Sequence, residues 1–457
     1  MILTGVGLCF LVLAFQNCTA SGFRPAQSVQ TSTASASSGV GDSNPNGGGT
    51  SSPGIAISTP GNSNPSVVNQ NSCSQSSASS QIGTVITNSS GALTTNTYNT
   101  ISTPCPIDLS YGAVYGKCYG NYAVQPNVYG AWGTMPANIN FSMWSNSESC
   151  WGFNVSAPSV NFANPYYWNA PVVTRGFSQG SNTLLTSAGG IKVSNLNTTY
   201  AANSSHCPNS GNAGSVCTKW SMSVPGVTPG SAANTTTDTY TSWDAMIDIY
   251  FHDVAKPAAA QLTTFDLQIY QMIMDEYYSG NPAWATYIFG SGKYTTKTIG
   301  GIKYLVSVNM GDPGSEGNGW VGRGGAFNCI SLVPLPTFPT TAGGGGSFLW
   351  GQASAVHDVG GIMSWISQVE TRVSPSGVTK TGIFDDSGNL LYDNVRKADV
   401  TSPLLDPSHY LTGLNPGFEV ILARDSSLEH PALTFPNNTK FTTTNLWIAL
   451  PGEPVGN

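Results

Sequence analysis

Two short runs of this 457-residue chain carry carboxylates in a pattern suited to acid–base chemistry. In AMIDIYFHD, strand alternation puts Ile247, Ile249 and Phe251 on one side and Asp248, Tyr250 and His252 on the other. In TTFDLQIYQMIM, Phe265, Leu267, Ile269 and Ile273 share one side, and Asp266, Gln268, Tyr270 and Met272 share the opposite one. A third carboxylate, Glu419, sits in YLTGLNPGFEVILARD among Leu414, Phe418, Val420 and Ile421. A carboxylate in such a run is costly to bury unless it is paired, hydrogen-bonded or kept protonated. A front turned to solvent explains one such strand. Two fronts and an embedded glutamate fit a polar groove lined with aromatics. Sugar rings need that mixture, and carboxylates on opposite sides of a glycosidic bond supply the acid/base pair for its hydrolysis.

The elements that position these residues read as strands. From about Cys105 onward, period-2 alternation recurs in SMWSNSESCWGFNV, GIKYLVSVNM and FEVIL, with Gly, Pro, Asn and Ser clusters between. The connection VAKPAAAQLTT is short enough to make the Asp248 and Asp266 strands antiparallel neighbours, with the two aspartates close across the ladder. Only HDVGGIMSWISQVETRV has helical spacing. Ile362, Trp365, Ile366 and Val369 form its apolar stripe, and Asp358 stands near its start, where a negative charge suits the helix dipole. Many strands and one helix predict an antiparallel β-sandwich with the helix packed on one side.

Composition narrows the partners. Charged residues make up 9 % of the chain and the formal charge is −7, with no Lys/Arg cluster to form a phosphate-binding face. That balance argues against nucleic acid as a partner. A neutral polysaccharide is compatible with so uncharged a surface. The N-terminus, MILTGVGLCFLVLAFQNCTASG, has an apolar run of signal-peptide length that ends at a cysteine. It resembles a bacterial lipoprotein signal over residues 1–18, with Cys18 as the acylated residue; an ordinary cleaved signal is the alternative. Residues 19–104, rich in Ser, Gly, Asn and Pro, read as a flexible linker. The folded domain is expected over 105–457, as a monomer outside the cytoplasm, lipid-anchored or secreted.

Seven cysteines follow Cys18: Cys73, Cys105, Cys118, Cys150, Cys207, Cys217 and Cys329. None falls in a C-x-x-C or Cys/His metal spacing, so no metal or other cofactor is expected. In an oxidising compartment disulfides are the default. Cys207 and Cys217 can close a local loop, and Cys118 and Cys150 can tie two early strands. The odd count leaves one thiol free or paired elsewhere.

Several runs resemble the family 12 glycoside hydrolases, endoglucanases and xyloglucanases acting on β-1,4-glucans. They are CYGNYAVQPNVYG, ESCWGFNV, NAPVVTRGFSQG with the Cys207/Cys217 loop, AMIDIYFHD, DLQIYQ, HDVGGIMSWISQV and DPSHYLTGLNPGFEVI, in the family's order over about residues 118 to 425. The resemblance implies an all-β, concanavalin-like β-jelly-roll sandwich of two antiparallel sheets with one α-helix. It implies Glu419 as acid/base, Asp266 at the nucleophile position and Asp248 as its assistant. Asn127, Tyr129, Gln268 and Tyr270 would line a groove for β-glucan, whether cellulose, mixed-linkage glucan or xyloglucan.

One residue departs from the pattern. The family nucleophile is a glutamate, and Asp266 is one methylene shorter, about 1.5 Å of reach. Retaining glycosidases hold their carboxyls about 5 to 5.5 Å apart and inverting ones about 6.5 to 9.5 Å. Three outcomes follow: retention with a compensating backbone, inversion through water, or a groove that binds sugar without cleaving it. An adhesion protein sharing only the scaffold is a further alternative.

Overall fold

The structure is a computed structural model that describes residues 73–75, 80–90, 93–98, 107–108, 116–126, 128–129, 138–157, 168–169, 171–178, 181–224, 243–258, 261, 263–278, 281–282, 293–310, 328–335, 347–373, 377–421 and 435–456. Cys18, Cys105 and Asn127 lie outside them. Among the described residues no helix is long and apolar enough to cross a membrane.

Two sheets face each other. In chain order their main strands are β1 (Gln81–Thr87), β2 (Leu93–Tyr98), β3 (Tyr122–Gln125), β4 (Asn140–Ser147), β5 (Cys150–Ala157), β6 (Val172–Ser178), β7 (Cys217–Ser223), β8 (Trp243–His252), β9 (Phe265–Tyr278), β10 (Thr295–Ile299), β11 (Ile302–Met310), β12 (Asn328–Leu335), β13 (Ser347–Gly351), β14 (Ser354–Asp358), β15 (Tyr410–Ile421) and β16 (Phe435–Ala449). The first sheet runs β2-β1-β4-β5-β16-β7-β14. The middle of the second runs β3-β6-β15-β8-β9-β12-β11-β10, and β13 pairs with β9 further along.

The core lies between the sheets, where alternation sends Ile247, Ile249, Leu267, Ile269, Leu414, Phe418 and Val420 of the second sheet against the first. Phe418 is its centre. Its ring lies 5.1 Å from Trp220, 5.7 Å from Trp151, 5.6 Å from Phe153 and 5.4 Å from Phe441, each edge-on. Those four partners all belong to the first sheet, so one side chain of β15 joins both layers. Edge-to-face geometry adds electrostatic attraction to the burial of large apolar surfaces.

Two polar links also cross between the sheets. Gln271 is the extra residue of a bulge in β9, between the rows of Ala245 and Met246. Its Nε2 donates to the Trp220 carbonyl at 2.8 Å, and its Oε1 lies 3.1 Å from Nε2 of His357 on β14. His357 Nδ1 lies 2.8 Å from the Tyr304 hydroxyl. Burial pushes the imidazole down to about 3, so it stays neutral. In the second link, Arg175 of β6 holds Glu453 with both terminal guanidinium nitrogens, at 2.7 and 2.8 Å, and the Ile448 carbonyl at 2.6 Å.

The structure corrects the sequence reading in several places. The linker is shorter than 19–104, because β1 and β2 pair with each other and β1 pairs with β4. Ile82 of β1 is buried in the core, a single strand's signal lost in a Ser/Asn-rich average. Cys150 is joined to Cys73 and not to Cys118. Cys207 and Cys217 are joined to each other as expected, and Cys118 and Cys329 each take part in a disulfide. The second sheet is not wholly antiparallel. β12 inserts between β9 and β11, running against β11 and parallel to β9. There are two described helices and not one. Helix α1 (Val193–Ala202) is rich in Ser, Asn and Thr, poor helix formers, and is held by tertiary contacts. Its first N–H groups donate to the His409 and Pro407 carbonyls. Helix α2 (Val359–Ile366) is shorter than its apolar stripe. Asp358 caps it by accepting from the Gly361 N–H at 2.9 Å, and the Leu404 and Leu405 N–H groups donate to the Ile366 carbonyl and end it. Val369 is therefore left exposed.

Two stability outcomes follow. Phe418→Ala should lower unfolding free energy by about 3 to 5 kcal/mol in urea titration, the cost of an aromatic cavity. Glu453→Ala should cost about 2 to 3 kcal/mol by leaving the buried Arg175 without its carboxylate, and Arg175→Met clearly less, since it removes the charge that needs a partner.

Candidate active site

β8 is the middle of three strands whose outward faces carry the candidate residues. With 247 and 249 fixed in the core, Asp244, Met246, Asp248 and Tyr250 occupy the other face. On β9 the matching row is Asp266, Gln268 and Tyr270. The bulge at Gln271 then shifts the phase. Met272, expected on the front, is in the core, and the backbone of Ile273 pairs with Asp244. On β15 the row is Gly413, Asn415, Gly417 and position 419.

Asp248 and Asp266 are brought together by one amide. Gln268 stands opposite Asp248, and its Nε2 donates to Asp248 Oδ1 at 3.3 Å and to Asp266 Oδ2 at 3.1 Å. Two oxygens that share one nitrogen at hydrogen-bond range are at most about 6.4 Å apart. The Gln268 Oε1 accepts from the Tyr270 hydroxyl at 3.1 Å and from the Ser331 hydroxyl at 3.5 Å. Tyr250, opposite Asp266, also hydrogen-bonds Asp248.

Burial dominates the electrostatics. It raises Asp248 from 3.8 to about 7, against the pull of its bonds to Gln268 and Tyr250. Asp266 is raised well above 3.8, first by burial and then by the neighbouring charge of Asp248, with the Gln268 amide and the Ile249 N–H opposing. The two carboxyls titrate as a unit, and near neutral pH that unit holds a proton. Asp266, expected at the nucleophile position, is thus pushed toward its protonated form. It is 1 % exposed, whereas Asp248 is only half-buried.

The remaining expected residues are not at this point. Gln268 and Tyr270, expected to line a groove, are 0 % and 5 % exposed; Gln268 bonds both aspartates and Tyr270 bonds Gln268. The side chain of Glu419 lies outside the described residues, but its backbone register is fixed. Glu419 stands opposite Asp244, and Asp266 stands opposite Tyr250. About six residues of β8 separate those rows, roughly 20 Å along the strand. A glutamate reaches about 4 Å from its backbone, too little to close that gap to a catalytic spacing. Tyr129, of which only the backbone is described, pairs with Trp168, which pairs in turn with Ile421. The expected residues thus fall into two groups along one sheet, Asp248, Asp266, Gln268 and Tyr270 at one end, Glu419 and Tyr129 at the other.

Three contributors were missed by sequence reasoning. Asp244 precedes Asp248 by four residues on the same face and was legible from alternation. Asn415, opposite Asp248, precedes Glu419 by the same interval, and its Nδ2 donates to the Phe177 carbonyl at 2.9 Å. Ser331 reaches Gln268 only through the parallel pairing of β12, which has no local signal. Among the described residues no group of three His, Cys, Asp or Glu could hold a metal ion.

Among solved structures the chain is similar to family 12 glycoside hydrolases. A native family 12 xyloglucanase from Bacillus licheniformis overlaps with a TM-score of 0.40 and 15 % identity, covering 80 % of this chain and 99 % of that one. Endoglucanase cel12A from Rhodothermus marinus gives 0.34 and 14 %, covering 74 % and 93 %. The xyloglucanase domain of NopAA from Sinorhizobium fredii, in complex with cellobiose, gives 0.33 and 14 %, covering 72 % and 93 %. No family model and no curated protein matches. What this face can do is set by its own side chains.

The raised carboxyls have a thermodynamic signature. In the unfolded chain both lose their protons near pH 4, while the folded state retains them. Between that pH and the folded values the folded state binds more protons, so stability falls as pH rises. Asp266→Asn removes part of that slope. From pH 4 to pH 8 the wild-type Tm should fall further than the variant's by at least about 2 °C in thermal unfolding.

Proposed function

We propose that this protein is a glycoside hydrolase acting on β-1,4-glucan, with Asp248 and Asp266 as its proton-transfer pair. The observation that carries this reading is a carboxyl pair tied to one amide, retaining a proton near neutral pH, on the sheet face opposite the core. Hydrolysis needs one proton delivered to the leaving oxygen and one removed from the attacking water. The pair supplies the first. Its proton goes to the leaving oxygen as the glycosidic C–O bond breaks, water adds to the anomeric carbon from the opposite face and gives its proton to solvent, and the pair is reprotonated from solvent. Asp248, the more accessible member, meets the sugar, and Asp266 behind it stores the proton.

An extended polymer suits the length of this face. Position 419, paired with Asp244, stands about four residues along β8 from the row of Asp248, roughly 13 Å. Glu419 is therefore assigned to holding a neighbouring part of the chain of sugars and not to the bond that breaks. The low charge of the chain fits a neutral β-glucan.

A second reading, a carbohydrate-binding protein that does not cleave, is favoured by the near-complete burial of Asp266. One assay separates the two. Purified protein is incubated with soluble mixed-linkage glucan and xyloglucan, reducing ends are counted, and the product anomer is followed by NMR. Asp248→Asn should lower kcat by about 10³-fold, and Glu419→Gln should raise KM with a much smaller effect on kcat. Binding without release of reducing ends would establish the second reading. A kcat loss in Glu419→Gln as large as that of Asp248→Asn would restore Glu419 as the acid/base.

A further inference from the structure

Gln268 is fully buried, yet its side-chain nitrogen donates to both aspartates. A buried amide can present either its oxygen or its nitrogen to a given neighbour. Here one orientation serves both aspartates and both hydroxyls. Carboxylate oxygens need donors, and Nε2 has two hydrogens for the two oxygens it faces. On the other side, the hydroxyls of Tyr270 and Ser331 have protons to donate, and Oε1 can only accept.

We propose that Gln268 is the positioning residue that makes Asp248 and Asp266 one proton-sharing unit, with Tyr270 and Ser331 locking the orientation of its amide. The assignment rests on the reading of the two aspartates as the proton-transfer pair. The amide holds two carboxyls from adjacent strands at a bounded separation. Each carboxyl accepts one N–H bond that favours its charged form, which opposes the effect of burial on both members.

Among the described residues, the groups that face this pair come from four elements. β8 contributes Tyr250 and, further along, Asp244. β9 contributes Tyr270. β15 contributes Asn415 opposite Asp248, and the backbone of its Glu419 pairs with Asp244, four residues further along β8. β12 contributes Ser331 and the disulfide-bonded Cys329, neither of which titrates in the range concerned. Tyr270 is a titratable group that bonds Gln268 directly.

The test is a carboxyl carbon NMR titration of Asp248 and Asp266 in the full chain, beside the pH profile of glucan hydrolysis, for wild type, Gln268→Met and Tyr270→Phe. Loss of the shared donor should move the pair's titration upward by about half to one pH unit in Gln268→Met. The alkaline limb of kcat should move with it to higher pH, with KM little changed. Tyr270→Phe, which frees the amide to turn, should give a smaller shift in the same direction. A folded Gln268→Met protein whose carboxyls titrate as in wild type overturns the proposal. If Gln268→Met does not fold, an unmoved titration in Tyr270→Phe overturns it instead. A shifted titration in a protein that releases no reducing ends supports the positioning role and sinks the hydrolase reading.

Discussion

Phe418 of β15 is gripped edge-on by Trp151, Phe153, Trp220 and Phe441. Those rings come from three strands of the first sheet and close on one side chain of the second. A slip of β15 by one residue would drive either Gly417 or Glu419 into the aromatic cluster. The same phase is imposed on β8 and, through it, on β9 by their pairing. The outward row that contains Asp248 and Asp266 is thus a consequence of apolar packing on the inward row.

Few residues of this chain are charged, and two of them are placed side by side in a setting dominated by burial. Among the described residues no cation forms an ion pair with either of them. The alternatives left are neutral donors and a retained proton, and both are used. The Gln268 amide gives each carboxyl one bond, while burial keeps a proton on the pair. A neutral support of this kind holds the carboxyls in place without fixing their charge, which an arginine would do.

Much of this was legible. The period-2 pattern of AMIDIYFHD and FDLQIYQ carries the adjacent strands, the shared face and the closeness of the two aspartates. Alternation was less informative where a strand gains a residue: the bulge at Gln271 sends Met272 to the core. It is silent on the row at which a distant strand pairs, and that is why Glu419 stands opposite Asp244 and away from Asp266. Helix α1 is invisible to propensity because its start is held by carbonyls from 407 and 409. The parallel strand β12 and the partner of Cys150 depend on long-range topology, which no local window contains.

The Cys73–Cys150 bond also decides how the body responds to a pull. Cys73 lies ahead of β1, and Cys150 begins β5, inside the first sheet. Tension applied to any attachment upstream of Cys73 enters β5 through a covalent bond. The strands β1 and β2, which such a load would otherwise unzip one hydrogen bond at a time, lie outside the force path.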